Sequence, residues 1–389
     1  MPDMYESFIR PIESLVSGLI DGAVDPFTDE PLQFGGVQTP ACLSTDLFAH
    51  SGVQTEWWYY TGHCETDSGR WFGFEFVFFK RRTDLDWLGG FPIRVVANPM
   101  YFAHFAISDI ETDKFRYEHI RSFNTPLDLP VSMSESRYDL RLGNWTIREE
   151  DGVHILHSTL GSDLVFDAVL KTSKPVVLNG EGGDGISRKT SGASAHFSFT
   201  RMNVSGHLAN GTGTEEFTGS AWMDREFGTW EQTNWDWFSI QFDDETELMI
   251  YQYRTKVGDT SPDTTGTFVD KDGNCTYLNR KDYTITVSST WTSPNTGTEY
   301  PSRWQIVVPC LDITLDIEPF IEDQELDTRG TTMIVYWEGA CKVTGKRAEK
   351  TITGRAYVEL VGYVRSHETA SLADFLFGDP MRRVRGIFG

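Results

Sequence analysis

The sequence predicts an all-β protein made of two antiparallel β-barrel domains in tandem, and three observations carry that prediction. Apolar and polar residues alternate with period two along most of the chain, the period of a strand rather than a helix. These runs are short and separated by Gly, Asn, Asp and Ser clusters. They also form two similar sets that part near Gly228. The expected organisation is an N-terminal helical segment over 1–40, a β domain over 41–228, a second over 229–365 and a tail over 366–389.

In chain order, Phe8, Ile9, Ile12, Leu15, Val16 and Leu19 fall at helical spacing, with Pro11 early enough to be tolerated. A turn-rich stretch over 31–51 follows. EWWYYTGHCETDSGRWFGFEFVFFKRR then reads as a hairpin turning at Asp67, Ser68 and Gly69, with Phe72, Phe74, Phe76 and Phe78 on one face and Trp71, Glu75 and Phe79 on the other. Both faces are apolar, which fits one face against a barrel interior and the other against a neighbouring domain. PMYFAHFAIS adds a strand with His104 as an internal histidine. Short strands are read over 137–149, 154–158, 164–171, 195–202 and 204–208. LNGEGGDGISRKTSGAS lacks the Gly-Lys-Ser/Thr ending of a phosphate loop and is read as a mobile loop. The second set covers 248–254, 266–269, 283–289, 304–308, 313–317, 332–340 and 354–362. DKDGNC has no Glu at the twelfth position of a calcium loop and reads as a hairpin turn. The tail carries an apolar patch and three arginines, read as a barrel cap with at most peripheral membrane contact.

The stretch GSAWMDREFGTWEQTNWDWFSIQF holds the strongest chemical signal. Period two places Trp222, Asp224 and Glu226 on one face and Met223, Arg225 and Phe227 on the other; beyond Gly228, Trp235 and Trp237 share a face. A carboxyl in an aromatic wall has its charged form disfavoured, so it can hold a proton near neutrality and donate it. Asp224 and Glu226 are therefore the candidate acids. The aromatic supply, 13% of the chain with 12 Trp and 26 Phe, suits a large apolar ligand. Trp58, Tyr60, Glu75, His104, Trp222, Trp235, Trp237 and Tyr336 are the candidate ligand contacts. Tyr60, His104 and Tyr336 can donate to a carbonyl, and Glu338 shares a strand face with Tyr336.

Charge and cysteine usage narrow the function class. With 34 Lys and Arg against 57 Asp and Glu, the net charge of -23 opposes binding to nucleic acid. Five scattered cysteines without a CxxC pair indicate neither zinc nor a disulfide framework. The acidic N-terminus lacks the form of a secretory signal, so a cytoplasmic location is expected. A hydrophobic small-molecule partner is expected, with no cofactor and no NAD, ATP or metal requirement.

The runs EWWYYTGH, FGFEFVFF, AHFAISD, GSAWMDREFG, WDWFSIQF, YPSRWQIVVP, YWEGACKVTG and GRAYVELVGY resemble the AttH and carotenoid hydratase (hydroxyneurosporene synthase) family of lipocalin-like proteins. The resemblance spans about residues 49–363. It implies two packed lipocalin-like barrels with a hydrophobic pocket, and addition of water across an isoprenoid double bond without metal or redox cofactor. The residues it implies for the site are His196, Trp222 and Asp224. Where family members often read MDHEWG, this chain has Arg225 and Phe227, and an often aromatic position after His196 is Ser198. Polyene cyclases of natural-product pathways are similar in fold, which leaves acid-triggered cyclisation, pericyclic cyclisation and non-catalytic lipid or terpenoid carriage beside hydration.

Overall fold

The structure is a computed structural model that describes residues 45–82, 99–124, 128–189, 192–230, 234–255 and 259–364. The expected N-terminal helical segment and the C-terminal tail lie outside the described residues. Among those described, no helix is long and apolar enough to cross a membrane.

Two curled antiparallel sheets account for the body of the molecule. The first contains β1 (Thr55–Thr66), β2 (Trp71–Arg81), β3 (Met100–Asp109), β4 (Lys114–Ser122), β5 (Val131–Met133), β6 (Asp139–Leu142), β7 (Trp145–Glu150), β8 (Val153–Leu160), β9 (Leu164–Thr172), β10 (Val177–Leu178), β11 (Ile186–Lys189), β12 (Gly192–Asn210) and β13 (Gly213–Thr229). Its order is β4-β3-β2-β1-β13-β12-β9-β8-β7-β6-β5, with β10 and β11 also on β12. The second contains β14 (Asn234–Phe242), β15 (Glu247–Arg254), β16 (Thr265–Val269), β17 (Cys275–Asn279), β18 (Thr284–Thr292), β19 (Glu299–Val308), β20 (Ile313–Pro319), β21 (Glu325–Asp327), β22 (Val335–Arg347) and β23 (Lys350–Val361). Its order is β17-β16-β15-β14-β23-β22-β20-β19-β18, with β21 on β22. In each sheet the first strand pairs with the last, β1 with β13 and β14 with β23. This shared connectivity is that of two lipocalin-like barrels in tandem.

Each sheet wraps its own core. Phe72, Phe74, Phe76 and Phe78 point inward to meet Phe105, Trp145, Phe166 and Met223, filling the first interior with close-packed rings. The second interior is built by Phe238, Trp304, Ile306, Leu315, Trp337 and Val358. The opposite faces of β1, β2, β13, β14 and β23 pack against each other, which is why β2 is apolar on both sides. Gly73 permits this approach: a Cβ there would sit 2.7 Å from Ala340 Cβ and 2.9 Å from the Tyr357 hydroxyl. Polar bonds tie the seam, among them Gln241 Nε2 donating to the carbonyls of Thr200 (2.7 Å) and Ala221 (3.0 Å).

Three sequence expectations change in the fold. Residues 137–149, read as one strand, form the hairpin β6–β7 turned at Gly143, whose φ is 63°. The two strands read over 195–208 are one long β12, bent where its register shifts between Phe199 and Met202. The glycine-rich segment read as a mobile loop instead folds back as β10 and β11 on β12. Gly180, Gly182, Gly183 and Gly185, all at positive φ, make that reversal and carry Lys189 into the interior.

Candidate active site

Between the two sheets lies a pocket of about 550 Å³, counting its open mouth. The first sheet lines it with Trp57, Tyr59, Val77, Phe79, Asp224 and Glu226, the second with Trp235, Trp237, Tyr251, Tyr336, Glu338 and Glu359. Register builds this lining. Trp57 stands opposite Glu226 and Tyr59 opposite Asp224 on β1 and β13, while Trp237 stands opposite Glu359 on β14 and β23. In both sheets the acids of the last strand face the aromatics of the first.

The carboxyl groups fall into two sets. Asp224 is fully engaged: His196 Nε2 donates to Oδ2 at 2.9 Å, and Oδ1 accepts from Trp222 Nε1 at 2.6 Å and from the Ser198 hydroxyl. Burial alone would depress the His196 imidazole; Asp224 and then Glu226 outweigh it and raise it above its ordinary range. Glu226 Oε1 accepts from Lys189 Nζ and the Ser194 hydroxyl, while its Oε2 is buried without a hydrogen-bond partner. Burial lowers the Lys189 ammonium despite that ion pair.

The second set is Glu75, Glu338 and Glu359. Glu338 and Glu359 are directly opposite on β22 and β23. Tyr59 donates to Glu338 Oε1, leaving Oε2 without a partner, and Trp235 Nε1 donates to Glu359 Oε2 at 2.8 Å. Burial pushes Glu338 well above the usual carboxylate range, helped by Glu75 and Glu359. Burial raises Glu359 to about 7 against the Trp235 bond, with the Asp224 and Glu226 charges adding to the rise. Glu75, whose two oxygens lack partners, is held well up by burial and by Glu359. At neutral pH this set therefore carries transferable protons.

Of the residues expected from the sequence, Asp224, Glu226, Trp235, Trp237 and Tyr336 border the pocket, whereas His196, Trp222, His104 and Glu75 are buried behind its lining. His104 Nδ1 and the Tyr336 hydroxyl are 2.7 Å apart, and burial, with His119, keeps His104 neutral. Trp58 and Tyr60 are placed elsewhere, which corrects their reading as ligand contacts. They point into the first interior, where Tyr60 Oη meets Tyr138 Oη at 2.6 Å and His154 Nδ1 at 2.8 Å. The odd-numbered neighbours Trp57 and Tyr59 face the pocket instead. Glu359 went unread, although GRAYVELVGY puts Tyr357 and Glu359 on one face as surely as the Trp222 stretch does its acids. Lys189 had no sequence signal, since a glycine-rich fold-back delivers it.

The family model for AttH-like proteins matches residues 37–363. A candidate AttH from Nitrosomonas europaea is 29% identical with a TM-score of 0.74, over 86% of this chain and 100% of that one. Kievitone hydratase from Nectria haematococca is similar at 15% identity and a TM-score of 0.65, over 89% of this chain and 98% of that one. CghA is similar at 12% identity and a TM-score of 0.52, again over 89% and 98%. At those identities the last two show the fold alone. No curated protein sequence matches the chain. With a family match that runs from before β1 to beyond β23, and thus through both sheets and every residue of the pocket, this chain belongs to the AttH-like family.

Proposed function

We propose that this protein is an enzyme that protonates a C=C bond of an apolar isoprenoid or polyene substrate held between its two barrels. Water, or a second double bond of the same substrate, then captures the cation. The observation that carries this reading is the pairing of Glu338 with Glu359, two carboxyls raised in pKa and set side by side in an aromatic pocket. A hydratase, that of Nectria haematococca, has this fold.

The steps balance without a redox or metal cofactor. A carboxyl of the Glu338–Glu359 pair gives its proton to one alkene carbon, and the π electrons form the new C–H bond. The cation left on the other carbon lies against the ring faces of Trp57, Trp235 and Trp237. In hydration, water oxygen bonds to that carbon and its surplus proton passes to a carboxylate of the opposite wall; Glu226, with one bare oxygen, is placed for it. In cyclisation, a second π bond attacks the cation and a C–H proton leaves to the same carboxylate. Asp224 orients His196 through their 2.9 Å contact.

The variants Glu338→Gln and Glu359→Gln test this directly. Each keeps size and shape but removes the proton, so kcat falls by ~100-fold or more while KM for a converted alkene moves little. Unchanged kcat in the double variant would remove the proposal.

A further inference from the structure

We infer that the pocket between the two barrels is a binding site for amphiphilic organic ammonium ions, compounds with an apolar tail and a tertiary or quaternary ammonium head. The inference deepens the reading above, since a cavity that holds a transient carbocation should hold a stable cation of similar shape. It stands on its own observations.

The first is the acidic composition of the lining. Asp224, Glu226, Glu338 and Glu359 border the cavity, and no Lys or Arg does so among the described residues. The second is the state of those acids. Glu226 Oε2 and Glu338 Oε2 are buried without a hydrogen-bond partner on residues that border the cavity, so each carboxyl leaves lone pairs unmatched by the protein. A cationic head meets those lone pairs and favours the ionised form of the Glu338–Glu359 pair, whose proton then leaves to solvent; a hydrocarbon does neither. The third is the ring geometry. Trp235 and Tyr251 meet at 80° with centroids 6.2 Å apart, and Tyr59 and Trp237 meet at 87° and 5.2 Å. Trp57 lies 6.4 Å from Trp235 with the two indoles nearly parallel, at 25°. Faces turned at right angles form the corner of an aromatic cage, the arrangement that recognises methylated ammonium groups by their attraction to ring faces.

An ammonium head placed there meets indole faces and carboxylate oxygens together, while its tail lies along Val77 and Phe79. Lys189 does not oppose it: its Nζ is committed to Glu226 Oε1 and Ser194, 4.1 Å over the Trp230 ring.

Calorimetric titration of the full chain with decyltrimethylammonium below its micelle concentration, beside 1-decanol as the neutral partner with the same tail, tests the inference. One saturable site per chain is expected, with the ammonium at least ~10-fold tighter than the alcohol. In the double variant Glu338→Gln, Glu359→Gln that preference shrinks while decanol affinity is kept, which also shows an intact cavity. If that variant does not fold, Trp57→Leu is read the same way, through the ratio of the two affinities. Equal affinities in the wild type, many weak sites, or a ratio that no variant changes would overturn the inference. The readout is binding alone. Absence of ammonium preference with alkene turnover intact removes this inference and leaves the proposed reaction; ammonium preference without turnover of any alkene does the reverse.

Discussion

Glu359 makes the residue-scale account testable by pH. Its folded value of about 7 lies above its ordinary 4.5, so the stability it contributes is full below 4.5 and is lost as pH rises through 7. The same titration should set activity: kcat/KM falls above about pH 7 as the acid is lost, and the Glu359→Gln variant loses that limb along with most of its rate. Glu56 behaves oppositely. Against burial, the Arg225 guanidinium, then His50 and Lys80, hold its carboxyl down to about 2, so its contribution is full above about 4.5 and lost as pH falls through 2. Arg225 Nη2 donates to Glu56 Oε2 at 2.6 Å with both side chains fully buried, while Nε and Nη2 also reach the carbonyls of Asp46 and Phe48. Replacing Arg225 by Met leaves the buried Glu56 carboxylate with only Lys80 and His50 and should cost ~3 kcal/mol in urea unfolding. Adding Glu56→Gln should restore part of that loss, because the under-compensated carboxylate goes with it.

At the scale of the strand, Gly73 tests whether β2 seals the seam. Gly73→Val drives its side chain into Ala340 and Tyr357 and should lower stability by roughly 1–3 kcal/mol by overpacking, read from thermal unfolding. Strands are also the scale at which the sequence could and could not be read. Alternation showed that Trp222, Asp224 and Glu226 share a face, and they do. It showed the two faces of WWYY but not which one looks at the pocket, because both parities are aromatic; only the pairing of β1 with β13 decides for Trp57 and Tyr59 over Trp58 and Tyr60. The raised acids were harder still. Glu338 and Glu359 meet only through the register of β22 on β23, and Glu75 reaches them only because the other sheet is pressed against that pair. Asp224, the most conspicuous acid in the sequence, turns out to be engaged by three donors and suited to orient His196.

For the whole molecule, the site exists only where the barrels meet, so stability and function share one interface. The rings and carboxyls of the seam come from both sheets, and His63 Nε2 reaches across to the Ala356 carbonyl at 3.1 Å. Calorimetric unfolding is therefore expected as one cooperative transition; two separated transitions would show barrels that fold independently of their shared face. The central claim is proton-initiated chemistry at that face. Its most direct measurement is product analysis in heavy water with a panel of isoprenoids and polyenes that includes kievitone and neurosporene. The account predicts a hydrated or cyclised product carrying one deuterium at a former alkene carbon, formed at least ~100-fold more slowly by the Glu338→Gln, Glu359→Gln double variant. Product without deuterium, or tight binding of the panel with every compound returned unchanged, would contradict it.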